Sequence, residues 1–443
     1  VLGYVGEITD KELEQQRYED YLTGSQIGRS GIEAWYEDTL RGERGVKFIE
    51  VDARGRELGP YRDRSTIVPV RGRDIRLTID IRLQQAMYEI MKPVEMGAMV
   101  ALDPNSGQVL AMISKPLFDP NRLSAGISGD DWRKLQYHSN KPFLNRAIQG
   151  IYPPGSTFKL LTAMVGFEEG YLSADGPSLE TNCRGGLQYG TRFFKCWQHS
   201  GHGKLGYHQA IVQSCDTFFY QLGIKIGLEK FSQYSNQSGF FARTGIDLPN
   251  EEVGLFPDAG WYDRNYGKGN WGRGNVLNLA IGQGEIVLSP LQLTSMYAYI
   301  CTAGKRYRPH LLLDDSVKYN LPPLQFSVAN LELLRAPLTG VINEAKGTAR
   351  GSRLWGHERK LAGKTGTSQN PHGEDHGLFA GFFPADKPEI VAVIVVEHGE
   401  HGSTWARLVR DLMLVWIEIT GPEKQDRQIT LGTDGAAPQV MGQ

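Results

Sequence analysis

The chain has 443 residues and a formal net charge of -2, with 22% charged and 40% hydrophobic residues. This is a globular composition, long enough for one large core and a second, smaller module, and its charge balance excludes a nucleic-acid partner on electrostatic grounds. No run approaches the roughly 18 consecutive apolar residues of a membrane span, and Val1 opens on Val1-Leu2-Gly3-Tyr4-Val5-Gly6 without a signal peptide. A start in mid-architecture is expected of a piece of a longer protein, so a missing anchor is no argument for the cytoplasm.

Along the chain, Asp10 to Arg44 is polar and helix-compatible, and strand-like Val46-Lys47-Phe48-Ile49-Glu50-Val51 runs into the turn signal Ala53-Arg54-Gly55. Residues 1–74 are therefore read as a small α+β module, closed by a basic segment near Arg62 to Arg73. A second module, 75–421, opens with a helix from about Ile81 to Met91 and a hairpin of Gly97–Leu102 with Gln108–Ile113. The middle third is helix-rich and punctuated by glycine. Lys360–Thr367, Leu378–Phe383 and Ile390–Glu397 read as neighbouring strands, and a closing helix spans about Ser403 to Thr420, with Leu408, Leu412, Val415, Trp416 and Ile419 on one face. The fold class is α+β: helices against an antiparallel sheet with a helical subdomain inserted, followed by a tail over 422–443.

The chemistry centres on Ser156-Thr157-Phe158-Lys159, which follows Tyr152-Pro153-Pro154-Gly155 at a helix start. A serine there meets the positive end of the helix dipole, and a lysine three positions on projects from the same face, supplying nucleophile and base together. Serine is too weakly acidic to attack unaided, so the lysine is expected to be neutral part of the time, through desolvation and a second cation, for which Lys364 is the candidate. Alone, a Ser–Lys pair is common by chance. Here Ser214-Cys215-Asp216, on a loop, and Lys364-Thr365-Gly366-Thr367, on a strand, follow in the order of the penicillin-recognising serine enzymes.

With these motifs the sequence resembles the class B penicillin-binding proteins, peptidoglycan D,D-transpeptidases, and most of all their penicillin-binding protein 2 subfamily of cell elongation. The resemblance covers nearly the whole chain, including Gly28-Arg29-Ser30-Gly31-Ile32-Glu33, Leu77-Thr78-Ile79-Asp80, Ile281-Gly282-Gln283-Gly284 and Asp375-His376-Gly377-Leu378-Phe379. It implies a penicillin-binding, serine β-lactamase-like transpeptidase domain on an amino-terminal pedestal. Ser156 would attack the D-Ala-D-Ala carbonyl of a stem peptide and Lys159 would accept its proton. Ser214 would relay protons between Lys159, Lys364 and the leaving amine, and the backbone N–H groups of Ser156 and Thr367 would form an oxyanion hole. Thr365, Gly366 and Thr367 would bind substrate beside Lys364, with the peptide adding to the strand edge. The resemblance also implies β-lactams as ligands, a SEDS-type glycan polymerase as partner, an inner-membrane anchor and a catalytic domain on the periplasmic side.

Many relatives carry Asn where this chain has Asp216, although the elongation branch tolerates an acid. An anion there favours charged lysines, and the alternative reading of Asp216 is a cap on the helix starting at Thr217. The rival functions are a serine β-lactamase, a D,D-carboxypeptidase using water as acceptor, and a non-enzymatic β-lactam sensor or scaffold. The length and the pedestal argue against the first.

Four cysteines occur. Cys301 reads as core, whereas Cys183, Cys196, His202 and Cys215 follow the spacing Cys-x12-Cys-x5-His-x12-Cys, which suits a tetrahedral zinc site bracing the catalytic loop. Elongation-type relatives can carry a metal in the corresponding insert. A Cys183–Cys196 disulfide and inert buried thiols remain open alternatives, as do His199 and His208 as ligands.

Overall fold

In the computed structural model, residues 1–421 are described apart from 62–63, 177, 315 and 372. The expected tail over 422–443 lies outside the described residues, as do Arg62 and Asp63 of the basic segment. The hairpin of β1 (Gly97–Leu102) and β2 (Val109–Lys115) joins β3 (Ala362–Ser368), β4 (His376–Phe383) and β5 (Ile390–Val396) in one antiparallel sheet of order β3-β4-β5-β1-β2. Every residue of β1 and β5 is buried, so these strands read as unbroken apolar runs. Both faces are covered: helices α1 (Ile81–Ile90) and α6 (Gly402–Thr420) lie on one, and the buried α5 (Pro290–Cys301) lies on the other.

The outer edge of β2 is sealed. Gln84 on α1 donates to the Met112 carbonyl at 3.0 Å and accepts the Met112 N–H at 2.9 Å, while Val109 N–H donates to the His310 carbonyl at 3.0 Å. The opposite edge of the sheet is β3.

The expectation for Asp10 to Arg44 is only partly met. In place of a sustained helix there are short helices at Asp10–Leu13, Gly31–Trp35 and Glu37–Leu40, interrupted by a strand, Gln26–Gly28, that pairs with Val5–Glu7. The cause is the buried Glu37 carboxylate, which accepts from the Tyr21 hydroxyl at 2.8 Å and the Gly28 N–H at 2.7 Å and folds the segment back on itself. Ile8, Tyr21 and Ile27 form a small core, and the hairpin Ile49–Val51 with Glu57–Pro60 completes the pedestal. Tyr36 fastens the pedestal to the larger module by donating to Asp247 Oδ2 at 2.7 Å.

The insert is also less helical than expected. Besides α3 (Tyr207–Val212) and α4 (Asp216–Ile226), it holds two small antiparallel ribbons, Thr181–Cys183 with Gly203–Leu205 and Gly186–Tyr189 with Arg192–Lys195; Cys183 lies on the first, Cys196 and His202 adjoin strand ends, and Cys215 precedes α4. Among the described residues no helix is long and apolar enough to cross a membrane.

Candidate active site

Ser156 lies in a single 3-10 turn, Gly155–Phe158, that runs into α2 (Lys159–Glu168), so it precedes the α-helix instead of sitting in its first turn. Gly155 has φ +53°, and a Cβ on it would meet the Thr367 carbonyl oxygen at 2.3 Å and the Thr367 nitrogen at 3.2 Å. Only glycine lets the nucleophile turn lie this close to β3. From the other side Gly282 accepts the Gly155 N–H at 2.8 Å, and Gln283 donates to the Thr367 carbonyl at 2.8 Å. The turn and the edge strand are thus clamped together by the Ile281–Gly284 segment. Behind them, Tyr297 of α5 donates its hydroxyl to the Thr157 carbonyl at 2.9 Å.

Lys159 is fully buried. Its Nζ lies 2.7 Å from Asp216 Oδ1, 2.9 Å from the Ser214 carbonyl and 3.1 Å from Ser214 Oγ, three acceptors for three ammonium protons. Ser214 sits between α3 and α4 at φ +55°, a left-handed conformation that is uncommon for a residue with a Cβ and that concentrates at functional sites. Asp216 does not cap α4 as the alternative reading had it: its second oxygen accepts the Trp197 N–H at 2.9 Å. The Trp197 indole N–H reaches the Ser214 and Gln213 carbonyls, both at 3.1 Å.

Lys364 is equally buried, and its Nζ has only a long contact, 3.3 Å, to the Thr365 carbonyl. Desolvation first, and the Lys159 charge second, push its pKa well below the usual lysine value, with Asp216 opposing. Burial thus disfavours the charge on Lys364, while Lys159 is held in a direct ion pair with Asp216. Thr365 shares a hydrogen bond of 2.8 Å with Thr348. Ser156, Ser214, Asp216, Thr365, Gly366 and Thr367 all line one cleft of about 650 Å³ together with Trp197 and Gln283.

The sequence reading missed Trp197 and Thr348, and it quoted Gln283 only as part of a shared segment. Adjacency to Cys196 was the one available signal for Trp197; nothing in the pattern marks Thr348, which arrives from a distant loop.

Cys183, Cys196, His202 and Cys215 converge, with their ligand atoms all within 4.8 Å of one another. All four cysteines of the chain are free thiols, so no Cys183–Cys196 disulfide is formed, and Cys301 is buried as expected. The Cys183 and Cys196 sulfurs lie 3.6 and 3.5 Å from His202 Nδ1. A tetrahedral zinc with bonds of about 2.3 Å to sulfur and about 2.0–2.1 Å to nitrogen has an S–N edge of about 3.6 Å, so the donors fit the ion. A hydrogen bond from the Cys215 thiol lowers the Cys196 pKa, against the burial penalty. The alternative ligands lie elsewhere: His208 pairs with Glu344 at 2.7 Å, and His199 lines the cleft.

Residues 97–414 match the penicillin-binding protein transpeptidase domain, and residues 1–77 match the penicillin-binding protein dimerisation domain. The chain is 35% identical over 441 residues to the peptidoglycan D,D-transpeptidase MrdA of Acinetobacter baumannii, an alignment covering 94% of this chain and 64% of that protein. It thus spans about two thirds of the length of that relative. Its structure is similar to the Helicobacter pylori penicillin-binding protein PBP2 solved in complex with MreC, with a TM-score of 0.86 and 32% identity over 95% of this chain and 77% of that one. It is also similar to a chain of a peptidoglycan synthase complex solved for the coordination of polymerization and crosslinking, with a TM-score of 0.79 and 31% identity over 95% and 75%.

Proposed function

Since this chain belongs to the penicillin-binding protein transpeptidase family, we propose that it is a peptidoglycan D,D-transpeptidase that cross-links stem peptides during cell-wall elongation through a Ser156 acyl-enzyme. The observation that carries the reading is the buried Lys159 held by Ser214 and Asp216 beneath a cleft that Ser156 enters, with Lys364 across it on an open strand edge.

The donor peptide adds along β3, and Ser156 Oγ attacks the carbonyl of its terminal D-Ala-D-Ala bond. Lys159 first passes one ammonium proton to Lys364, whose burial disfavours its own charge, and the freed Lys159 amine then accepts the serine proton as the new C–O bond forms. Ser214 Oγ, 3.1 Å from Lys159, relays that proton to the D-alanine nitrogen as the C–N bond breaks. The oxyanion is held by the backbone N–H groups of Ser156 and Thr367, which the Gly155–Gly282 clamp keeps side by side. The acyl group then passes to an amine of a second stem peptide, or to water in a carboxypeptidase turnover. β-Lactams acylate the same serine.

Cys183, Cys196, His202 and Cys215 hold a structural zinc whose contribution is rigidity of the loop carrying Ser214, with no step of the chemistry passing through it. Relatives solved with MreC and in a peptidoglycan synthase complex support partner proteins for this chain; on the family resemblance, the pedestal docks on a glycan polymerase of the SEDS type and the catalytic module works outside the cytoplasmic membrane.

The test is labelling with a fluorescent penicillin followed by peptide mapping. Stable modification of Ser156, loss of label in Ser156→Ala, and release of D-alanine from pentapeptide substrates support the reading. Rapid loss of label, or modification elsewhere, ends it. Stoichiometric zinc in protein purified without added metal, reduced in Cys215→Ser, supports the metal centre; no metal in the parent protein removes it.

A further inference from the structure

On the side of α5 away from Ser156 there is a second cavity, of about 200 Å³, that the proposed reaction does not use. Tyr299 lines it, with its ring buried and its hydroxyl open to the cavity and without a hydrogen bond to any described residue. Beside it lies the half-buried guanidinium of Arg306, which has neither an ion pair nor a side-chain hydrogen bond among the described residues. Burial without a compensating anion depresses its pKa. Room for this guanidinium is made by Gly239, at φ +69°, where a Cβ would lie 2.7 Å from Nη2. Two donors that face one cavity and are not engaged by the protein are free to receive an anionic acceptor.

The rest of the wall fits the same occupant. Arg243 and Lys305 add positive charge, although the Arg243 Nε is already given to the Glu251 carbonyl and the Lys305 Nζ reaches Asn105 at 3.3 Å. The single acid on the wall, Asp103, is occupied by its own turn, accepting the Asn105 N–H at 2.8 Å and the Ser106 hydroxyl at 2.6 Å. Phe240 and Tyr307 supply apolar faces. A site with donors at one end and aromatic walls selects a ligand that has an anionic head and a flat apolar body.

We propose that this cavity, between α5 and the 239–244 and 305–307 loops, is a binding site for a small organic anion, a carboxylate or phosphate on an apolar body, held by Arg306 and the Tyr299 hydroxyl. The site stands apart from the acylation chemistry, and Arg306 and Tyr299 belong to no part of that machinery.

Binding is read by calorimetry and thermal shift on the full chain, with benzoate and phenyl phosphate as probes and benzyl alcohol as the neutral counterpart. The expected result is saturable binding of at least one anion at about 1 mM or below, with benzyl alcohol at least about tenfold weaker. Arg306→Gln and Tyr299→Phe are expected to weaken the anion about tenfold or more while penicillin labelling continues at the parent rate. Tighter binding of phenyl phosphate assigns a phosphoryl ligand, and tighter binding of benzoate a carboxylate. The proposal is overturned by the absence of saturation below about 10 mM, by equal binding of benzyl alcohol, or by variants that bind as the parent does. The comparison of charged and neutral probes uses the parent protein alone and stands whether or not a variant folds.

Discussion

The Lys159 ammonium and the Asp216 carboxylate lie 2.7 Å apart, and the other Asp216 oxygen accepts the Trp197 N–H at 2.9 Å. Both carboxylate oxygens are therefore acceptors, one from the catalytic base and one from the chain beside Cys196. An amide cannot serve both: an Asn that turns its oxygen to Lys159 points its NH₂ at the Trp197 N–H. Asp216→Asn should reduce the second-order rate of penicillin acylation by roughly 10- to 100-fold, the cost of about 1–3 kcal/mol for leaving one buried donor unpaired. Stopped-flow acylation measures this; a rate within about twofold of the parent would show that the carboxylate is dispensable.

Lys364 gives a pH dependence with a definite sign. Its folded pKa lies well below the ordinary lysine value of 10.5 because burial disfavours the ammonium. Between the folded and unfolded values, the unfolded chain binds a proton at this position that the folded chain does not. Stability therefore rises with pH across that window, and the contribution is fully present only above about 10.5. Lys364→Met keeps the length and removes the titration. At pH 7 its Tm should exceed that of the parent by about 2 °C or more, the difference should shrink as pH approaches 10, and acylation should be lost. A variant that melts below the parent at pH 7 contradicts a neutral, destabilised lysine.

A second buried pair steadies the approach to the nucleophile. Arg146 Nε donates to Glu397 at 2.8 Å, and the Tyr152 hydroxyl donates to the same oxygen at 2.7 Å, just ahead of Pro153-Pro154-Gly155. Burial raises the Glu397 pKa, but the hydrogen bonds from Arg146 and Tyr152 outweigh it and the net shift is downward. Its stabilisation is thus present above the unfolded carboxylate value and is lost as pH falls through the folded one. Glu397→Gln should cost about 3–5 kcal/mol at pH 7, because Arg146 is left as an uncompensated buried charge, and less at acidic pH. Urea denaturation at pH 7 and pH 4 checks both parts; an equal loss at the two values would place the effect in packing instead of charge.

The catalytic residues were legible because their spacing is a local chemical constraint: Ser156 and Lys159 must share a helix start, and Lys364 must sit on a strand. The sheet was legible for a related reason, since β1 and β5 are covered on both faces and so carry unbroken apolar runs. The four donors of the Cys183–Cys215 cluster were identified by residue type, and the structure brings them together. What stayed hidden depends on contacts between distant segments. The short helices of the pedestal are set by Glu37 reaching back to Tyr21 and Gly28, and the approach of Gly239 to Arg306 likewise joins distant segments. The ion pair of Lys159 with Asp216 and the full burial of Lys364 are likewise invisible in a linear motif.

Trp197 joins the loop carrying Cys196 and His202 to the loop carrying Ser214. Its ring lies 5.3 Å from that of His202, and its indole N–H donates to the Ser214 and Gln213 carbonyls. The Ser214 carbonyl also accepts from Lys159, so the indole helps hold the strained φ +55° conformation in which Ser214 Oγ faces the base. Trp197→Phe keeps the backbone N–H to Asp216 and most of the ring contact and removes only the indole donor. Because the side chain is 53% exposed, its loss should change overall stability by less than about 1 kcal/mol. Acylation by penicillin should slow by about 3- to 10-fold, with the loss in the acylation rate constant and not in the initial binding constant, since the Ser214 relay is misplaced while the cleft stays open. An unchanged acylation rate constant with weaker initial binding would instead make Trp197 a surface on which the ligand rests.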